Sequence, residues 1–343
     1  MVSIRRLKYR GSLHIFPKGN RSMNAAVLHT LGSPPRYEEF PEPSGGDGEM
    51  IVHVHAASLK PIDKQLASGS HYASPRDFPV ICGTDGVGHL DDDDGQRVFF
   101  GGTRAPYGSM AELTVVRRAF CFPVPDSVDD ATAAALPNPG VSAWLSLAFR
   151  AKVAPGENVL ILGATGITGK LAVKIAKLLG AGRVVAAGRN REVLQTLPQL
   201  GADAIIHLDA TSEELGEAFV REAGDSGFQV VIDYVWGRPT EAFLAAITRK
   251  EFAAITSEIR LLQVGESAGP TISLPAAVLR STALTILGTA GIPPLDVLAD
   301  AFQQVMAHAA NGELGIDTEC VPLADIENAW QLDQPRRRLV VTP

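Results

Sequence analysis

Gly163, Gly166 and Gly169 are spaced three apart, and they are the residues of this chain whose type and spacing point most directly to chemistry. They lie in Asn158-Val-Leu-Ile-Leu-Gly-Ala-Thr-Gly-Ile-Thr-Gly-Lys170. Glycine allows a tight turn and a close approach of backbone to ligand. A helix that begins inside such a turn presents free N–H groups and a positive dipole end, which suit a pyrophosphate. The segment Gly163, Ala164, Thr165, Gly166, Ile167, Thr168 and Gly169 is therefore a candidate dinucleotide-binding loop. The spacing is GxxGxxG, not GxGxxG, so a glycine-rich turn without a ligand is the competing reading, and the flanking elements must decide.

Those elements are the ones the motif requires. Upstream, Val159 to Leu162 is an apolar run of the buried-strand type. Downstream, Leu171, Ile175 and Leu178 fall on one helical face and Lys170, Lys174 and Lys177 on the other. Strand, glycine turn and amphipathic helix open a βαβ unit. The unit continues with strands expected at Arg183 to Ala187, Ala204 to His207, Gln229 to Asp233, Leu261 to Val264 and Leu284 to Leu287. Helices are expected at Asn190 to Leu200 and around Glu213 to Ala223. Six short apolar strands with helices between them predict a parallel, doubly wound sheet.

The 343 residues suggest about two domains, and 45% hydrophobic with 20% charged residues can build a full core. A net charge of −7 argues against a general nucleic-acid or anionic-membrane surface. No apolar run approaches the ~20 residues that span a bilayer. Cys82, Cys121 and Cys320 are odd in number and far apart, which is neither a disulfide framework nor a metal-ligand spacing. That usage fits a reducing, cytoplasmic setting. Residues 1–22 carry Arg5, Arg6, Lys8, Arg10, Lys18 and Arg21 and no acid. They read either as an organelle-targeting presequence or as a stretch upstream of a start at Met23 with no structural role, loosely ordered in both cases.

Residues 23–145 have a different texture. Runs such as Met50 to His55 and Arg97 to Phe100 are separated by Gly, Pro and Asp clusters and predict a small, irregular antiparallel barrel. Asp91–Asp94 followed by Gly95 reads as a solvated turn, with a metal site as the sharper alternative. Asp126 to Leu136 reads as a helix capped by Asp126 or Ser127 and stopped by Pro137. Asp317 to Val341 returns to strand, helix and strand.

The order of these parts resembles the medium-chain dehydrogenase/reductase superfamily, in its zinc-independent quinone oxidoreductase branch. The resemblance runs over residues 23–343. It is carried by Val54-His-Ala-Ala-Ser-Leu-Lys-Pro-Ile-Asp63, Pro79-Val-Ile-Cys-Gly-Thr-Asp-Gly-Val-Gly88, Ala134-Ala-Leu-Pro-Asn-Pro-Gly-Val-Ser-Ala-Trp144, the glycine loop, Asp317 to Trp330 and Arg338-Leu-Val-Val341. It implies an α/β fold: a GroES-like β-barrel domain at 23–145 and 312–343 and a Rossmann doubly wound parallel sheet domain at 146–311, with the active site in the cleft between them. It also implies a homo-oligomer, dimer or tetramer, built through the Rossmann edge strand near Leu284.

Zinc-dependent members hold a metal with Cys, His and Glu or Asp. Here the first ligand position falls on Lys60 and the usual His–Glu pair is replaced by Thr84-Asp85. An ammonium is a donor and not a ligand, and the four-cysteine lobe is missing. The expectation is a metal-free enzyme in which the cofactor carries the chemistry. His53, His55, His71 and His89 form no metal set; His53 and His55 share a strand face with no evident third partner.

Cofactor choice is read at Ala186-Ala-Gly-Arg-Asn-Arg191. No acid stands there for a ribose diol. Gly188, Arg189, Asn190 and Arg191 follow the strand, and Arg189 falls where a 2′-phosphate needs a bidentate cation, which predicts NADPH. The competing reading makes both arginines ordinary loop residues. By resemblance Ser142 contacts the nicotinamide, with Asn138 beside it; Asn138 as a plain turn residue is equally open. Val264, Gly265, Gly288 and Thr289 are expected to bound the ring through backbone groups. Asp233 either caps the next turn or touches ligand.

Lys60 and Asp63 are the catalytic candidates, with Lys60 stabilising charge on a reacting carbonyl or ordering the ribose and Asp63 orienting it. The bland alternative is a surface Lys–Asp pair. A Tyr found near here in many relatives is Gln65, and Tyr72 is the candidate to replace it unless it is only a lid contact. The combined expectation is an NADPH-dependent reductase of small-molecule quinones or α,β-unsaturated carbonyls, with no nucleic-acid or membrane partner. An enoyl-thioester reductase and an NADPH-binding structural or regulatory protein are the rivals.

Overall fold

The structure is a computed structural model, and it describes residues 21–92, 94–249, 258–289, 291, 293–332 and 337–343. The expectation for the basic segment therefore falls, up to residue 20, outside the described residues.

Six parallel strands form one sheet in the spatial order Ala204–His207, Arg183–Gly188, Asn158–Leu162, Val230–Asp233, Ile259–Gln263, Leu284–Gly288. The first strand in the chain is central, and the order reverses between it and Val230–Asp233. A doubly wound sheet opens a crevice for ligand at that switch point, at the carboxyl ends of its strands. The strands are continuous apolar runs because helices cover both faces. Val159 and Ile161 point into one buried cluster with Leu171, Ile175 and Val305, while Leu160 and Leu162 point into the other with Phe219 and Phe243. All six expected strands lie within two residues of their predicted ends; the largest shift is at the fifth, which begins at Ile259 rather than Leu261. The predicted helix at 190–200 is broken: an α-turn at Arg191–Leu194 is followed by a 3₁₀ turn at Leu197–Leu200, with Pro198 inside it.

Residues before and after this sheet share another. The C-terminal strand Arg338–Thr342 pairs antiparallel with Glu49–Ser58, which also pairs with Asp85–Leu90 and Leu113–Arg117. Arg97–Gly101 and Cys121–Pro123 extend it. A three-stranded sheet, Arg36–Pro41, Ser22–Leu28 and Val80–Ile81, packs beside it. Within residues 23–145 every strand pair is antiparallel, as expected, and the C-terminal strand–helix–strand adds Thr318–Pro322 parallel to Arg338–Thr342, because the helix Ile326–Gln331 carries the chain back between them.

The expected helix at 126–136 is corrected at both ends. It spans Asp130–Ala135, and its N-cap is Asp129, whose carboxylate accepts from Thr132 N at 2.9 Å and Thr132 Oγ1 at 2.8 Å. Pro137 does not stop the chain. Leu136 stays right-handed helical, so Pro137 becomes the first residue of a second helix, Pro137–Trp144. A proline is tolerated at that position because its missing N–H has no partner to lose. A π-helical stretch, Leu145–Arg150, extends it, and such stretches are often found at functional sites.

The acidic turn between Asp85–Leu90 and Arg97–Gly101 is held by Gly95, at φ 54°, donating to Asp92 Oδ1 at 3.0 Å. All three cysteines are free thiols. No helix among the described residues is long and apolar enough to cross a membrane.

Candidate active site

The glycine loop is built by contacts that leave no room for side chains. A Cβ on Gly169 would stand 2.3 Å from Gly163 O and 2.6 Å from Ala164 Cα. Gly163 has φ 89°, a region L side chains rarely adopt, and its own Cβ would meet Val235 and Tyr234 at 2.9 and 3.0 Å. Gly163 N and Ala164 N both donate to Ala187 O at 2.8 Å, which fastens the turn to the second strand. Gly166 is the N-cap of the helix Ile167–Leu178 and offers no side chain to satisfy the first N–H groups. Those groups have no intrahelical partner and face outward with the positive dipole end.

The end of the second strand lies against this loop. A Cβ on Gly188 would be 2.4 Å from Thr165 Cγ2. Arg189 and Asn190 follow, both exposed. Asn190 is spent as a helix cap, its Oδ1 accepting from Val193 N at 3.1 Å. Arg191 Nε donates to His207 Nε2 at 3.1 Å. Arg189 has no hydrogen bond or ion pair among the described residues, so its guanidinium is available to a ligand. The cradle and this free cation fit a dinucleotide that carries an extra phosphate.

On the barrel side of the same strand ends lies a cleft of about 780 Å³. Asn138, Val141, Ser142, Leu145, Phe149 and Arg150 line it from the helix and its π extension, Thr84 and Asp85 from the barrel, and Thr289 from the loop after the last parallel strand. Asn138 is exposed on the first turn of the helix Pro137–Trp144 and lines the cleft, so it lies in a helix and not in a turn between two prolines. Phe99, Phe120, Phe122 and Phe302 make the far wall, with Phe302 stacked on Phe99 and Phe122 at 5.4 and 5.1 Å. Arg150 Nε and Nη2 donate to Gly288 O at 3.0 and 2.8 Å and so fix the strand end that carries Thr289. Val264 N and Gly265 N donate to Asp233 O at 2.8 and 3.1 Å, so this turn is tied down rather than open. Asp233 caps its own turn: Val235 N and Trp236 N donate to Oδ1, and Thr240 Oγ1 donates to Oδ2 at 2.5 Å. Burial pushes its carboxyl upward against those bonds.

Lys60 is neither in the cleft nor on the surface. It is 2% exposed, and its Nζ donates to Asp85 Oδ1 at 2.8 Å and to Ser58 O at 3.1 Å, with Asp63 Oδ2 at 3.2 Å. Asp63 closes a capping box by accepting from Lys60 N at 2.8 Å, which starts the helix Pro61–Ser68. Burial alone would lower the Lys60 ammonium, but Asp63 and Asp85 outweigh it and hold it above its ordinary range. Burial pushes Asp85 up, opposed by Lys60. Arg338, 8% exposed, adds a second buried cation and donates from Nη1 to Leu59 O at 3.1 Å. Of these four charges only Asp85 lines the cleft.

Tyr72 is not brought to the site. It is 95% exposed, packs on His71 with ring centroids 4.2 Å apart, and lines neither cavity. His55 is hydrogen-bonded to Asp130 Oδ2 at 3.1 Å and to His89 at 2.9 Å, an arrangement that ties the capped helix to the barrel. Among the described residues no three His, Cys, Asp or Glu side chains could hold a metal ion. Where a zinc ligand would stand, the Lys60 ammonium fills the space between two carboxylates, so the residues present do not fit zinc.

Residues 46–126 match the family model described as an alcohol dehydrogenase GroES-like domain, and residues 168–310 match one described as a zinc-binding dehydrogenase. The chain is 28% identical over 276 residues to quinone oxidoreductase-like protein 2 of Bos taurus, which covers 78% of this chain and 75% of that one. A solved quinone oxidoreductase of Thermus thermophilus, also determined in complex with NADPH, superposes with a TM-score of 0.75 at 27% identity, over 94% of this chain and 100% of that one. A mycobacterial quinone oxidoreductase structure has the same fold, with a TM-score of 0.81 at 22% identity over 94% of this chain and 100% of that one.

Proposed function

Because this chain belongs to the medium-chain dehydrogenase/reductase superfamily, in its quinone oxidoreductase branch, we propose that it is an NADPH-dependent reductase of quinones or α,β-unsaturated carbonyls. The observation that carries this reading is one of placement. The carboxyl ends of a single parallel sheet bear a pyrophosphate cradle with an unpaired Arg189 beside it, and they also border an aromatic cleft with Asn138, Ser142 and Asp85 in its wall.

The cofactor, when bound, supplies a hydride. Every other task falls to the chain. The first N–H groups of the helix Ile167–Leu178 bind the pyrophosphate, and Arg189 binds the 2′-phosphate with charge-assisted hydrogen bonds. Asn138 and Ser142, four apart on one helical face, orient the ring and the acceptor. Phe99, Phe122 and Phe302 exclude water and favour a flat, apolar acceptor. Arg150 holds Gly288 and Thr289 in place at the other side of the cleft.

The domain division at 145/146 and 311/312 belongs to the same proposal, as does a homo-oligomer. Among the described residues Leu284–Gly288 pairs on one side only, which leaves an edge on which a second copy can pair.

The test is oxidation of NADPH and NADH against a panel of quinones, enones and enoyl thioesters. Acceptor-dependent oxidation that prefers NADPH, fastest with a quinone or enone, supports the proposal. Fastest turnover of enoyl thioesters favours that rival, and binding without any oxidation favours a regulatory protein.

A further inference from the structure

Between the main cleft and a second cavity the protein buries a row of proton-carrying groups. The second cavity, of about 230 Å³, is lined by Asp63 and Thr84 together with Cys82, Thr103 and Tyr107. The main cleft is lined by Thr84 and Asp85. Lys60 lies between them and lines neither. Its Nζ is 3.2 Å from Asp63 Oδ2 on the rear side and 2.8 Å from Asp85 Oδ1 on the cleft side. Thr84 Oγ1 spans the same partition, 3.3 Å from Asp63 Oδ1 and 3.5 Å from Asp85 Oδ2.

A purely structural ion pair has no need of this arrangement. Burying an ammonium and two carboxylates costs more than packing apolar groups of the same volume, and Ala67, Cys82 and Met110 show that apolar packing is available next door. What the row provides is a continuous line of polar groups from one cavity to the other, a hydrogen bond from Lys60 to Asp85 and an ion pair from Lys60 to Asp63.

We infer that Asp63, Lys60 and Asp85 form a proton relay that delivers solvent protons from the rear cavity to the acceptor bound in the cleft. This rests on the reductase reading above. Reduction of a carbonyl-conjugated acceptor adds a hydride at carbon and needs one proton to finish. The Lys60 ammonium supplies that proton: the Asp85 carboxylate accepts it from Nζ and passes it to the developing oxyanion. Asp85 ends as the carboxylate it was, and the Lys60 amine takes a proton from solvent in the rear cavity by way of Asp63. No group is oxidised or reduced, and the cluster returns to its starting charge. Arg338 faces the cluster from the C-terminal strand and offsets one of its two carboxylates. Cys82 faces Asp63, and burial keeps its thiol protonated.

The relay assigns Asp85 the catalytic contact and makes Lys60 and Asp63 positioning residues behind it. Asp85→Asn tests the contact. Expected are a ~10²–10⁴-fold lower turnover with enones, unchanged NADPH affinity, and partial rescue by small carboxylic acids that enter the cleft. Unchanged turnover, or a loss that no small acid rescues, overturns the relay. Should Asp85→Asn fail to fold, Lys60→Met with Asp85→Asn removes one charge of each sign, and the same loss and rescue are expected.

A second readout needs neither cofactor nor turnover. The hydrogen exchange of the Lys60 ammonium, followed by NMR with labelled lysine, should persist when an aromatic quinone plugs the cleft and should slow several-fold in Asp63→Asn. That variant keeps the cap, because its amide oxygen still accepts from Lys60 N. Exchange that stops when the cleft is plugged, or that ignores Asp63→Asn, shows that protons enter from the front and overturns the rear path. A wild-type protein that oxidises NADPH with no acceptor at all would defeat the reductase reading, whereas a working wild type with an indifferent Asp85→Asn defeats the relay alone.

Discussion

A methyl group on Gly169 would stand 2.3 Å from the carbonyl oxygen of Gly163, so the first turn of the helix and the end of the strand before it touch through bare backbone. That contact sets the shape of the anion cradle. Gly169→Ala must therefore push the helix away from the strand. We expect a loss of ~1–3 kcal/mol in stability, as for other overpacked sites, and at least ~10-fold weaker NADPH binding, equivalent to about 1.4 kcal/mol. Thermal melts and a nicotinamide fluorescence titration measure both. Wild-type affinity in this variant would mean that the cofactor does not use the loop.

Arg189 follows Gly188, which is pressed against Thr165 of that loop. A free guanidinium there makes charge-assisted hydrogen bonds to a 2′-phosphate, worth roughly 1.5–3 kcal/mol. Arg189→Ala should weaken NADPH about 10- to 100-fold and leave NADH nearly unchanged. Equal losses for the two cofactors would remove Arg189 from the site.

Much of the parallel sheet was readable because its strands are continuous apolar runs and the glycine spacing fixes where the first one ends. The helix lining the cleft was not. Pro137 is a stop signal by itself, yet Leu136 keeps a helical backbone and the chain continues to Arg150. With the helix cut at Pro137, the row Asn138, Ser142, Phe149 and Arg150 could not be seen as one face. The burial of Lys60 was equally hidden. A Lys and an Asp three apart look like a surface pair, and the partner that decides the matter, Asp85, arrives from a strand 25 residues away. Tyr72 is a candidate by its chemistry alone, and nothing apolar near it in sequence holds it inward.

Lys60→Met leaves Asp63 and Asp85 buried without their shared ammonium. Breaking such a pair from one side costs ~3–5 kcal/mol. Adding Asp85→Asn should restore part of the loss, so the double variant melts above the Lys60→Met single variant. The coupling between the two changes should reach ~0.5–3 kcal/mol by chemical denaturation. Additive losses would show that the two side chains act independently.

Asp129 gives a pH signature. Burial alone would raise its carboxyl, but the bonds from Thr132 outweigh that and hold it below the usual range. A carboxyl lowered in the folded state stabilises fully above its unfolded pKa of about 4 and loses that contribution as pH falls through the lower folded value. The wild type should exceed Asp129→Ala by ~1 kcal/mol at neutral pH, with the gap closing only below about pH 4. A gap that stays constant into strong acid would contradict the ionised cap.

The proposal of hydride transfer is tested most directly with NADPH deuterated at C4 of the nicotinamide and an α,β-unsaturated ketone as acceptor. The account predicts one cofactor deuterium at the β-carbon of the product from one of the two labelled C4 epimers, and none from the other. In heavy water with unlabelled NADPH, solvent deuterium should appear only at the adjacent position. Consumption of NADPH with no label in the product, or binding of NADPH with no consumption by any acceptor, would contradict it.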